Sequence, residues 1–197
     1  MNRREYFQIA LASAAAVLPA KRLAAEEQAA RAVRGLPTPI IKDIQVVNTQ
    51  PSGVRLVVVK ILTDQDGLYG YGCATFTQRA DLVGPAVEKY LKPLLVGKPA
   101  DRIEDTWQAC YNSSYWRNGP VLNNAISGID EALWDIKGRQ ANMPVYQLLG
   151  GKAREAVLTY ATVGGMEAAE AIDRARAEMK KGFRCISCSA AWRARRH

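Results

Sequence analysis

The chain has 197 residues, 48% of them apolar and 23% charged, the balance of one globular domain or of a domain and a fragment. That composition excludes wholesale disorder, a collagen-like repeat and a disulfide-scaffolded mini-protein, and no apolar run reaches the ~18–20 residues of a membrane span. The net charge of +8 is concentrated at the ends: residues 1–25 and 187–197 carry +3 each, leaving +2 on the body between them. A groove for phosphates needs its charge on the folded body, so nucleic acid is not an expected partner.

Residues 1–25 read as an export signal. Arg3 and Arg4 open it, an uncharged alanine-rich stretch runs from Ile9 to Leu18, and Lys21, Arg22 and the small residues Ala24 and Ala25 close it. The adjacent arginines resemble a twin-arginine signal, with Asn2 where Ser or Thr usually precedes the pair. The expected destination is the periplasm or the cell exterior. Residues 26–37 read as a polar leader.

Three strand-like runs follow: Pro39 to Thr49, Val54 to Thr63 and Leu68 to Phe76. Gln50-Pro51-Ser52-Gly53 separates the first two, and Asp64-Gln65-Asp66-Gly67 the second pair, which predicts an antiparallel meander. A helix is expected from Asp81, with Leu82, Val83, Ala86, Val87, Tyr90, Leu91 and Leu94 on its apolar face. Asp101 and Glu104 have the spacing of a capping box for a second helix, faced by Ile103, Trp107 and Cys110 or Tyr111. The longest helix spans residues 120–140: Pro120 suits its first position, and Val121, Leu122, Ala125, Ile126, Ile129, Ala132, Leu133 and Ile136 form its stripe.

After Gly151 the rhythm changes. Glu155 to Thr162 reads as a strand, Gly164-Gly165 as a turn, Met166 to Lys181 as a helix and Phe183 to Ile186 as the next strand. A helical crossover between strands points to a parallel pair. From Ser187 the pattern is lost, and residues 187–197 read as an aperiodic tail from a shifted reading frame or a truncation. Cys185 and Cys188 form a C-x-x-C with no second pair of metal-ligand residues at zinc spacing and no helix following. Cys73 and Cys110 read as packed thiols.

The segment Ala125-Ile-Ser-Gly-Ile-Asp130-Glu-Ala-Leu-Trp-Asp135-Ile-Lys-Gly-Arg139, followed by Pro144-Val-Tyr-Gln-Leu-Leu-Gly150-Gly151, resembles the mandelate racemase/muconate lactonizing group of the enolase superfamily. Ser114-Tyr-Trp-Arg-Asn-Gly-Pro120 and Tyr160 before a glycine pair are most similar to the acid-sugar dehydratase branch, nearest to mannonate-dehydratase-like proteins. The resemblance implies an α+β capping domain over residues 38–151 and the first βα unit of a TIM-type barrel over residues 152–186. Members remove the proton next to a substrate carboxylate, and Mg²⁺ stabilises the enediolate. A dehydratase then expels the β-hydroxyl; racemisation and cycloisomerisation are the alternatives within the group, and a non-catalytic secreted binding module is the alternative outside it.

The group's metal carboxylates belong to the third to fifth barrel strands, and the residues after Gly151 suffice for one βα unit and the start of a second. The resemblance therefore implies Mg²⁺ for the family but no metal site and no catalytic base in this chain. Ser187 and Ser189 stand where the second strand bears a base, and Thr162 stands where mannonate dehydratases have histidine. The substrate-facing candidates are Pro51 and Ser52 in one loop, Thr77 and Gln78 in another, and Tyr160 and Thr162 at the end of the first barrel strand, where barrel active sites gather. Asp130, Asp135 and Trp134 read as structural. The expected partner is a small carboxylate or sugar acid, and full-length members of the group are often dimers or octamers.

Overall fold

A computed structural model of the chain describes residues 27, 28, 30–165 and 167–190. The expected export signal lies outside these residues, as do residues 191–197 of the expected tail. Two compact units divide between Lys152 and Ala153.

The first unit is built on three antiparallel strands in the order β1 (Ile41–Thr49), β2 (Leu56–Thr63), β3 (Tyr69–Cys73). In β2, Val57, Val59, Ile61 and Thr63 are buried and the residues between them are partly covered, the period-two pattern of a pleated strand. Register sets Val46 beside Val59 and Val59 beside Gly72. The β2–β3 connection closes by Leu68 N–H donating to Gln65 O at 3.1 Å and Thr63 Oγ1 donating to Leu68 O at 2.7 Å.

Helices cover one face of this sheet. Helix α1 (Ala80–Ala86) runs into a π-helical turn (Val87–Leu91) and then α2 (Lys92–Leu95). Pro93 lacks the N–H that would bond to Lys89 O, and Lys92 N–H reaches back five residues to Val87 O. The inserted residue turns the apolar stripe. Val83, Val87, Leu91 and Leu95 are buried, whereas Leu82 and Tyr90, expected on the apolar face, are 55% and 71% exposed. Helix α3 (Ile103–Asn112) starts after Arg102 with no side-chain cap; Asp101 accepts a bond from Thr38 Oγ1 at 3.2 Å instead of forming the expected capping box.

Helix α4 (Pro120–Gln140) has the expected bounds, entered through Gly119 at φ 92° with Pro120 first and Lys137 and Arg139 in its last turn. Ile129, Leu133 and Ile136 pack with Ile44, Val59 and Val83 in the main core. Its backbone lies almost on β3: a Cβ at Gly72 would meet Gly128 O at 2.0 Å, and one at Gly70 would meet Ala132 O at 2.0 Å. The same helix satisfies the outer strand. Tyr71 N–H donates to Asp135 Oδ2 at 2.9 Å and Cys73 N–H to Glu131 Oε2 at 2.8 Å. Carboxylates four apart on a helix thus meet amides two apart on a strand, removing free edge donors that would otherwise recruit another strand. Asp135 is structural in this sense, as the resemblance implied.

Several boundaries and roles differ from expectation. Residues 27, 28 and 30–32 are helical, and Val33 packs with Ala141 and Leu148, so part of the expected leader belongs to the fold. Cys73 is exposed, because register turns Gly72 inward and its neighbour outward, while Cys110 is buried. Helix α5 (Val145–Leu148) closes the unit.

The second unit is β4 (Tyr160–Gly165), α6 (Ala168–Lys180) and β5 (Cys185–Ala190), with the two strands parallel. It is the βα unit the resemblance implies. Its first strand begins later than expected and includes Gly164 and Gly165, which were read as a turn. A Cβ at Gly165 would meet Ala171 N at 2.9 Å, so glycine permits the helix to return close to the strand. Pairing with β4 carries β5 on through Ser187 to Ala190, past the point where sequence pattern is lost.

Candidate functional site

The sheet determines where the candidate loops lie. Antiparallel pairing places the end of β1 beside the start of β2, and the end of β3 beside Val58, so both loops leave from one end of the sheet. The first loop is a short 3-10 turn, Pro51–Gly53, with Ser52 in the left-handed region at φ 50°. Val54 N–H donates to Pro51 O at 3.0 Å and Gln50 Nε2 to Gly53 O at 3.2 Å, closing the turn on itself.

The second loop contains a 3-10 turn, Thr77–Arg79. Thr77 Oγ1 donates to Gln78 Oε1 at 3.1 Å, and Arg79 Nη1 donates to Gln78 O at 2.6 Å. Pro51, Ser52, Thr77 and Gln78 are all exposed or partly exposed. Two contacts join the bases of the loops. Val57 N–H donates to Thr75 Oγ1 at 3.0 Å, and Arg55 Nη1 lies 2.9 Å from Asp81 Oδ2. Beside the Arg55–Asp81 pair is a cleft of about 290 Å³ lined by Asn48, Thr49, Gln50, Arg55 and Asp81 among others, but by none of Pro51, Ser52, Thr77 and Gln78. The Arg55–Asp81 pair was missed in the sequence because its members are 26 residues apart.

Tyr160 and Thr162 belong to the second unit. They are two apart on β4, hence on one face, and both are exposed. Thr162 is the register partner of Ser187. Hydroxyls, amides and one guanidinium make up the candidate set, a chemistry that binds and orients hydroxyls and carboxylates by hydrogen bonds.

Asp130 lies elsewhere, on α4 beside Trp107, Tyr111 and Ser127. Burial raises its carboxyl above the ordinary range, with the charges of Glu104 and Glu131 acting the same way. Among the described residues no three His, Cys, Asp or Glu are grouped so as to hold a metal ion.

Residues 29–150 match the family described as mandelate racemase / muconate lactonizing enzyme, N-terminal domain. The D-galactonate dehydratase family member RspA of Pantoea ananatis (strain LMG 20103) is 55% identical over 148 residues, which are 75% of this chain and 36% of that protein. A D-galactonate dehydratase family member of Enterococcus gallinarum (strain EG2) is 53% identical over 147 residues, 75% of this chain and 37% of that protein. Among solved structures, an enolase from Pantoea ananatis with bound D-gluconate and Mg superposes with a TM-score of 0.74 at 53% identity, covering 77% of this chain and 37% of that one. A member of the enolase superfamily from Salmonella Typhimurium gives 0.66 at 28% identity, covering 75% and 42%. The chain thus spans little more than a third of the length of these curated relatives.

Proposed function

Since the chain belongs to the mandelate racemase/muconate lactonizing enzyme family by its N-terminal domain, we propose that it supplies the substrate-capping part of a sugar-acid dehydratase. The observation that carries the reading is the pair of polar loops leaving one end of the sheet, tied at their bases by Arg55 and Asp81.

In this reading the reaction removes the proton next to the substrate carboxylate, breaks the bond to the β-hydroxyl and releases water, leaving a 2-keto acid. The residues of this chain bind rather than transfer protons. Ser52 and Thr77 donate and accept at substrate hydroxyls, and Gln78 offers an amide that does both. The loops also keep bulk water from the bound acid. Tyr160 and Thr162 are the first and third residues of β4, whereas barrel enzymes gather substrate contacts at the C-terminal strand ends, so this reading assigns them no substrate contact. Two further parts of the proposal are that this chain by itself does not turn over substrate, and that residues 1–25 direct it out of the cytoplasm.

The test is a chimera carrying residues 27–152 of this chain on the barrel of the Pantoea ananatis relative. It should bind D-gluconate, and Ser52→Ala and Gln78→Ala should each weaken that binding several-fold while leaving the melting temperature unchanged. A folded chimera that does not bind sugar acids, or one indifferent to both variants, refutes the assignment. Export is tested separately by fusing residues 1–25 to a reporter and locating it with and without Arg3→Lys/Arg4→Lys.

A further inference from the structure

Helices α3 and α4 border a cleft of about 420 Å³, lined by Trp107 and Tyr111 from one helix and by Asn123, Ile126, Ser127 and Asp130 from the other. That volume is in the range of small-ligand sites. The spacing of the sequence builds each wall. Trp107 and Tyr111 are four apart on α3, and Asn123, Ser127 and Asp130 are four and three apart on α4, so each set shares one helix face. The two rings stack with centroids 5.0 Å apart and planes 11° from parallel. A cation is attracted to an aromatic face, and to indole most strongly. The protein itself gives an instance: the Arg117 guanidinium lies over the Tyr111 ring, 5.7 Å from its centroid.

The opposite wall carries a charge without a counter-charge. Among the described residues no cation pairs with the Asp130 carboxylate and no side chain donates to it. The charged groups acting on it are acids, Glu104 one turn before Trp107 and Glu131 next to it in the chain. Glu131 is already engaged, accepting from Cys73 N–H at 2.8 Å and from Ser127 Oγ at 3.1 Å. Asp130 is not. Burial and both neighbours oppose its charge, and a cation entering the cleft would relieve all three.

We propose that this cleft binds a guanidinium group, its plane lying against the Trp107 ring and its N–H fork donating to the Asp130 carboxylate. A guanidinium fits better than an ammonium because it is planar, stacks on aromatic faces and meets a carboxylate through two parallel hydrogen bonds. Asn123 adds an amide oxygen that accepts from a remaining N–H. The chemistry is shared by free guanidino compounds and by an arginine side chain of a polypeptide. The inference does not depend on the proposed enzymatic role.

Isothermal titration calorimetry of the full chain at low salt tests it, with methylguanidinium as the free cation and N-acetylargininamide as the side chain of a peptide. Saturable binding is expected with a Kd on the order of 1 mM. Tighter binding of N-acetylargininamide assigns the cleft to a polypeptide arginine, and equal or tighter binding of methylguanidinium assigns it to a free guanidino compound. Asp130→Asn keeps the shape of the side chain and removes its charge, and should weaken binding at least about tenfold. Trp107→Leu should weaken it about fivefold or more, with an unchanged far-UV circular dichroism spectrum showing that the variant still folds. Asp66→Asn, at an exposed acid of the β2–β3 turn, is the control for unspecific charge and should leave binding unchanged. No saturation of either probe up to about 20 mM overturns the proposal. A loss smaller than about tenfold in Asp130→Asn, or none in a folded Trp107→Leu, overturns it as well. Tetramethylammonium bound as tightly as methylguanidinium overturns the assignment to guanidinium, because that ion has the charge but neither the plane nor the N–H groups.

Discussion

Substituting Gly72 by alanine adds one methyl group at the tightest point of the fold. An ideal Cβ there falls 2.0 Å from Gly128 O and 2.8 Å from Ala132 N, both backbone atoms of α4. Ordinary contact begins near 3.4 Å, so helix and strand must separate by more than an ångström. No side chain can rotate away to absorb that shift. Overpacking of a well-packed core costs about 1–3 kcal/mol. The separation also stretches the bonds from Tyr71 N–H to Asp135 and from Cys73 N–H to Glu131. A hydrogen bond to a charged group is worth about 1.5–3 kcal/mol. The expected loss is therefore about 3–5 kcal/mol, a third or more of the stability of a typical domain. For a unit of this size that corresponds to a fall in Tm of roughly 8–15 °C. Urea denaturation followed by tryptophan fluorescence, at a concentration low enough to avoid aggregation, measures it. Gly67→Ala is the control, since Gly67 has φ +76° with open space around it, so only the left-handed strain of about 1–2 kcal/mol applies. If Gly72→Ala costs no more than Gly67→Ala, the close approach of α4 to β3 is not what holds this sheet edge.

Three other outcomes follow from the titratable groups. Asp130→Asn should leave the chain unchanged or slightly more stable at pH 7, since burial and the neighbouring acids oppose the charged form; solvent screens the half-buried carboxyl and keeps the change within the ~0.5 kcal/mol of an ordinary surface substitution. A raised folded pKa means the folded state holds the proton longer, so any gain should shrink as the carboxyl takes up its proton on acidification, and a gain that grows on acidification refutes the assignment. Asp43 behaves in the opposite way: its bond to Lys92, 2.6 Å away, lowers its pKa, so the pair contributes above the ordinary carboxylate pKa and the contribution is lost as pH falls through about 4 and below. Lys92→Met should thus cost about 0.5 kcal/mol at pH 7 and almost nothing at pH 2–3, as read by thermal melts at both pH values. Finally, burial pushes the Cys110 thiol up to about 11, so iodoacetamide at pH 8 should label Cys73 in the native chain and reach Cys110 only after denaturation. Equal labelling of both would contradict the burial of α3 against the core.

Much of the architecture is legible along the chain because it depends on neighbours in sequence. The meander follows from β-branched runs broken by Gln50-Pro51-Ser52-Gly53 and Asp64 to Gly67. The span of α4 follows from Pro120 at one end, a continuous apolar stripe, and Lys137 and Arg139 at the other. The likeness of residues 125–151 to a known group led to the same family that the whole-domain comparison shows. The same likeness points to the loop residues Ser52, Thr77 and Gln78, and folding places both loops at one sheet end.

What depended on distant partners was not legible. Asp81 looks like a helix cap by spacing but pairs with Arg55 across the loops, and Asp101 bonds Thr38, 63 residues away, rather than capping α3. The π turn rotated Tyr90 out of its predicted face, because helical periodicity assumes a constant 3.6 residues per turn and Pro93 breaks that assumption. Gly164 and Gly165 resemble a turn by composition and become strand only because β5 pairs with them. The alternating glycines of β3 show the same division. Sequence by itself determined that residues 70 and 72 lack side chains; only the tertiary structure showed the reason, the backbone of α4 resting where those side chains would be.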